Sequence, residues 1–255
     1  MTQTKAFLAS LSPHKKENLR PFRLLLSSNP YEHIHYSWYY QPLQHQPASI
    51  QSLFISSLPP TQQKELNKMF KLSSTKNSSF INNFVFHSLL KEIQKPGVLP
   101  LPFLPSSELH LLLKIKPNEL THLTDLLGIY DLAAEYKQII DQSLLKKIES
   151  ALKEDEYQFL LYVTKQPIKW IPPKLHLPQW NGEKETLRRL IHQRGLARLA
   201  KATLKEDPSF QWHLLHRLDT GRAKIIEKSY SQKLDPILIP YFKSQVIDIA
   251  KRYKS

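Results

Sequence analysis

Through most of the chain, apolar side chains recur at steps of three and four residues, the spacing that places them on one face of a helix. Leu120/Leu123/Leu127, Leu132/Tyr136/Ile139 and Leu144/Leu145/Ile148/Leu152 each trace such a face. They predict helices over Pro117–Leu127, ended by Gly128, over Ile129–Ile140 and over Gln142–Leu152. Similar readings give Ser49–Leu58, Thr61–Leu72, Ser78–Ile93, Glu108–Ile115, Glu156–Lys165, Gly221–Tyr230 and Pro236–Tyr253. In Ser78–Ile93 the stripe is Phe80, Phe84, Leu89, Leu90 and Ile93, with Asn77 or Ser78 as the cap. Asp207-Pro208 and Asp235-Pro236 each put a capping carboxylate before a proline at the first helical position, which marks two helix starts. The aromatic run Tyr31–Tyr40 is ambiguous, because Ile34, Tyr36, Trp38 and Tyr40 also alternate as in an extended segment.

Prolines divide this pattern. Pro96–Pro105 and Pro167–Trp180 cannot be helical inside, since each proline removes a donor and restrains the residue before it. The predicted organisation is a helical region with an aromatic segment over 1–95, a proline-rich linker over 96–106, a short-helix region over 107–166, a Pro/Trp linker over 167–182 and a basic helical region over 183–255. The two tryptophans of the second linker are expected to pack it onto a helical layer. Leu152-Lys-Glu-Asp155 recurs as Leu204-Lys-Glu-Asp207, with a slip in register after it. The predicted fold class is therefore all-α, either a multi-helix orthogonal bundle or a short helical-repeat array with proline-rich linkers.

Composition supports helix and narrows the chemistry. Only 5 of 255 residues are glycine, and there is no cysteine, which rules out disulfides, thiol catalysis and thiolate-bound metal and suits a reducing compartment. No export signal is legible at the amino terminus, and no apolar run reaches the ~20 residues that span a bilayer, so a cytoplasmic location is expected. P-loop, Rossmann, His-Glu-x-x-His and Gly-x-Ser-x-Gly patterns are all missing. The expectation is a non-enzymatic chain with no cofactor and no metal.

Charge points to a partner. The formal charge is +14, and from Asn181 to Ser255 there are 16 Lys/Arg against 8 Asp/Glu, while no Lys or Arg lies between Arg23 and Lys64. Arg194, Arg198, Lys201 and Lys205 fall in one narrow sector of a helix, opposite Leu196, Leu199, Ala200 and Thr203. Leu187, Leu190 and Ile191 would fall on that basic sector, so a break or kink is expected at Gly195, between helices over Lys184–Gln193 and Leu196–Leu204. The sector reads as a docking stripe for an acidic partner; a merely solvated face is the plainer alternative. In the helix predicted over Pro208–Leu218, Phe210, Leu214 and Leu218 form the core side, leaving Trp212 and His216 paired on another side as packing or an interface anchor. Arg217 and Arg222 complete the expected partner-binding set. His213, His216 and Asp219 drift around the helix and do not make a ligand set. Aromatic and basic residues separate along the sequence, which does not favour a single-strand stacking platform, although a basic helix on nucleic acid remains an alternative.

Glu206–Ile226, where an acidic residue and a proline begin a helix that closes on Leu-Asp, resembles the helical repeat of the flagellar rotor-switch protein FliG. The whole plan is similar to the SctK family of bacterial type III secretion accessory proteins. The likeness covers part of the chain and includes no torque helix, so rotor function is not implied. What it implies is an adaptor linking the inner-membrane ring to the cytosolic sorting platform. Its partners would be other secretion-apparatus proteins, with peripheral association at the inner membrane.

Overall fold

The structure is a computed structural model that describes residues 33–72, 84–86, 88–90, 93, 96–167 and 169–253. The helices are α1 (Ser37–Leu43), α2 (Ala48–Ile55), α3 (Pro60–Phe70), α4 (Pro117–Tyr136), α5 (Gln142–Ala151), α6 (Glu154–Thr164), α7 (Lys184–Thr203), α8 (Pro208–Arg217), α9 (Thr220–Tyr230) and α10 (Ile239–Ala250). Residues 84–86, 88–90 and 93 are helical as well, and no strand occurs among the described residues. The all-α expectation holds. The described part of the aromatic run is a turn leading into α1, not an extended segment. Asn77, Ser78 and Phe80, expected to start and line a helix, lie outside the described residues, and Phe84 is 70% exposed, off the predicted core stripe.

The chain divides into two compact units, residues 1–105 with 207–216, and residues 106–206 with 217–255. In the first, Tyr39, Leu43, Phe54, Leu66, Phe86 and Leu90 are buried together, with Tyr39 edge-on to Phe54 and Phe54 against Phe86. The proline-rich stretch before 105 is tied down by α8: the Leu99 amide donates to Ser209 Oγ at 3.0 Å, and the Leu99 carbonyl accepts from His213 Nε2 at 2.8 Å.

In the second unit α7 is central, packed against α4, α9 and α10, while α6 lies on α4. Two expectations fail here, both at glycines. α4 runs unbroken through Gly128, and α7 runs unbroken through Gly195. A Cβ on Gly128 would sit 1.9 Å from the Ile191 carbonyl oxygen, and one on Gly195 would sit 1.7 Å from that of Thr124. Both glycines are where the two longest helices touch backbone to backbone. What reads as a helix terminator in one dimension is a crossing point in three.

Side-chain caps fix some of the helix starts. Asp207 accepts the Ser209 amide at 2.7 Å, and α8 starts at Pro208 as expected. Asp235 accepts the Ile237 amide, but Pro236–Leu238 is a 3₁₀ turn that leads into α10; another, Lys251–Tyr253, follows it. Glu108–Leu113 is likewise 3₁₀. The Leu-Lys-Glu-Asp echo does not repeat structurally: Glu154 opens α6, whereas Glu206 precedes α8. Asp219 caps α9 by accepting the amides of Gly221 and Arg222. Replacing Asp219 by alanine is expected to destabilise the chain by about 1 kcal/mol, read as a lower urea midpoint with an unchanged slope.

Candidate functional site

Because α7 is one continuous helix, the sector that holds Arg194, Arg198 and Lys201 also holds Leu187 and Ile191, which are buried. The sector therefore turns inward along most of its length, and the expected stripe is not a free surface. Arg198 is 2% exposed: its Nε donates to Asp131 at 2.5 Å and its Nη1 to Gln245 Oε1 at 2.6 Å. The rings of Tyr130, Trp170 and Phe242 surround its guanidinium at 5.2–5.4 Å. Arg194 donates to the Lys174 carbonyl at 3.0 Å. Lys201 Nζ lies 3.7 Å from the centre of the Trp170 ring, and burial lowers its pKa to about 8, with Asp131 acting against that shift. Only Lys205, of these four, is exposed. The opposite side behaves as expected, with Leu196, Leu199, Ala200 and Thr203 buried.

The other expected contact residues are also engaged. His216 stacks between Trp38 and Trp212, with ring centres 3.9 and 4.0 Å away, and its Nδ1 donates to the Trp212 carbonyl. Arg217 is buried and donates to the Ile115 carbonyl, its Nε finds no partner among the described residues, and burial lowers its pKa. Arg222 pairs with Asp219 and donates from Nε to His192 Nε2 at 2.8 Å. Since guanidinium can only donate, His192 Nε2 accepts, and its Nδ1 donates to Asp125 Oδ1 at 2.6 Å.

The Trp–His–Trp stack predicts a pH dependence. Desolvation lowers the His216 pKa from 6.5 to about 4 in the folded state. Above 6.5 the ring is neutral folded or unfolded; below it the unfolded chain gains a proton that the folded chain refuses until about 4. Stability should thus fall as pH drops through that window, with a slope of up to about 1.4 kcal/mol per pH unit from this group. The slope should flatten in His216→Leu, as followed by urea unfolding at pH 7, 6, 5 and 4.

A cavity of about 220 Å³ opens beside Arg198 in the second unit. Its lining includes Tyr130, Tyr162, Trp170 and Tyr241, with Lys137, Lys169 and Asp248 among the exposed charged groups. Trp170 reaches it because the proline-rich segment folds back on α10, where the indole meets Phe242 edge-on at 5.2 Å. Aromatic and basic residues therefore meet here, among them the neighbours Lys169 and Trp170. The sequence reading missed this cleft. Two signals were available: Asp131 lies on the buried stripe of α4, and Gln245 sits within the apolar side of α10.

No family model, curated protein or solved structure matches the chain. Among the described residues, no helix is long and apolar enough to cross a membrane.

Proposed function

We propose that this chain is a non-enzymatic adaptor of a bacterial type III secretion apparatus, working at the cytoplasmic side and linking the membrane ring to the sorting platform by protein–protein contacts. The supporting observation is how the FliG-like segment is built. Asp207 and Pro208 start α8, Leu218 is buried, and Asp219 ends the segment by capping α9. Each residue that carries the likeness thus has a defined task in a helix–cap–helix joint. A chain of short capped helices with a surplus of cations offers rigid faces for association.

The meeting of lysines with aromatic rings in the cleft favours a second reading, a basic helical protein that binds nucleic acid. Salt separates the two. Phosphate binding falls on a log–log plot with a slope set by the number of neutralised contacts, whereas a packed protein interface responds weakly. The deciding experiment is affinity capture of the full chain from its native cell after nuclease treatment. Secretion-ring and platform proteins are the expected catch; ribosomal or nucleic-acid-processing proteins in their place would sink the adaptor reading.

A further inference from the structure

We infer that the cleft beside Arg198 is a receptor for an acidic side chain presented by a protein partner. The inference rests on the adaptor reading and names the chemistry of one contact. Arg198 is held rigid by Asp131 and Gln245, yet its Nη2 donates to nothing among the described residues, and Arg198 lines the cavity. The hydroxyl of Tyr130, another lining group, likewise has no hydrogen-bond partner among the described residues. Burial raises its pKa to about 12, so at neutral pH it is a donor. Lys137 and Lys169 are exposed lining residues, and among the described lining residues Asp248 is the one acid beside them, Asp131 being committed to Arg198. Lys137 Nζ donates one proton to the Gln166 carbonyl at 2.9 Å and keeps two for a ligand.

A carboxylate in the cleft therefore meets one preorganised guanidinium, one hydroxyl donor and two ammonium groups. The walls, Tyr162, Trp170 and Tyr241, cover the carbon chain and backbone of the entering segment; Tyr, Trp and Arg are the side chains that dominate interface energetics. Size argues for an anchored side chain and against a free nucleotide. About 220 Å³ lies below the roughly 300–1,000 Å³ of small-molecule sites. The overall charge of +14 adds long-range attraction for the acidic segment.

The test uses the full chain labelled with 5-fluorotryptophan, the Trp170 signal being assigned with Trp170→Phe, at about 0.15 M salt so that remote charges are screened. The probe is the peptide acetyl-Glu-Leu-Glu-Tyr-Glu-Leu-amide, compared with its Gln-for-Glu form, inorganic phosphate and a thymidine decamer. The acidic peptide should shift the Trp170 resonance saturably. Its affinity should drop about tenfold or more in Lys137→Glu/Lys169→Glu and severalfold in Tyr130→Phe, and the Gln peptide should leave the resonance in place. The proposal is overturned by no saturable shift, by equal affinity in the charge-reversed chain, or by phosphate or the decamer acting at lower concentration. Ring proteins still captured after a failed titration would overturn this contact alone; a successful titration with no ring proteins captured would sink the adaptor reading and leave the acidic site standing.

Discussion

Asp131→Ala should lower stability by about 3–5 kcal/mol, the cost of removing one partner from a buried ion pair. The reason lies in what remains. Arg198 is almost wholly buried and its Nε has Asp131 as acceptor. Its other neighbours are the Gln245 amide and three aromatic rings, which attract a cation but cannot neutralise it. Lys201 stands nearby as a second cation whose pKa burial lowers to about 8 against the pull of Asp131, so losing the carboxylate removes the anion that favours both charges. Arg198→Met in the same background should restore most of the loss, because replacing both ions by apolar groups of similar volume is often neutral. The four proteins form a double-mutant cycle, measured by urea unfolding, whose coupling energy should reach several kcal/mol. Additive losses would show that the pair does not act as a unit.

This pair also shows what the sequence could and could not reveal. The spacing of Arg194, Arg198 and Lys201 on one helical sector was legible, and so was the presence of Leu187 and Ile191 on that same sector. Taken together these describe a buried face with charges in it. Reading the charges as a free surface required a kink at Gly195 to move the leucines away. The helix is unbroken at Gly195, and the face turns inward. Burial of a charge depends on a partner far along the chain; the place of Asp131 on the apolar stripe of α4 shows that it needs a partner, but nothing local says which residue that is. By contrast, capped starts such as Asp207-Pro208 are decided by a few neighbouring atoms, and the start of α8 fell where the sequence placed it. Likewise Phe210, Leu214 and Leu218 are buried, as their spacing requires. The places of Asp131 and Gln245 on apolar helix sides mark single residues and not a cleft, because its walls come from α4, α6, α7, α10 and the proline-rich segment, which converge only once those elements pack.

Gly195→Ala tests the crossing itself, because two principles give opposite signs. In a helix interior alanine is preferred over glycine by about 1 kcal/mol, so local propensity alone forecasts a more stable protein. The added methyl, however, would lie 1.7 Å from the Thr124 carbonyl oxygen and 3.1 Å from the Gly128 amide nitrogen. Both are backbone atoms of α4, and no rotamer change can relieve the overlap. The helices must separate, and separation pulls on the Asp125–His192 and Asp131–Arg198 contacts between the same two helices. The expected outcome is a net loss of about 3 kcal/mol or more, at the upper end of overpacking costs, read from urea midpoints. Gly128→Ala should behave alike, since its methyl meets the Ile191 carbonyl at 1.9 Å. The double variant should lose less than the sum, because either methyl alone already forces the same separation. A Gly195→Ala protein as stable as the parent, or more so, would mean that α4 and α7 do not cross in backbone contact.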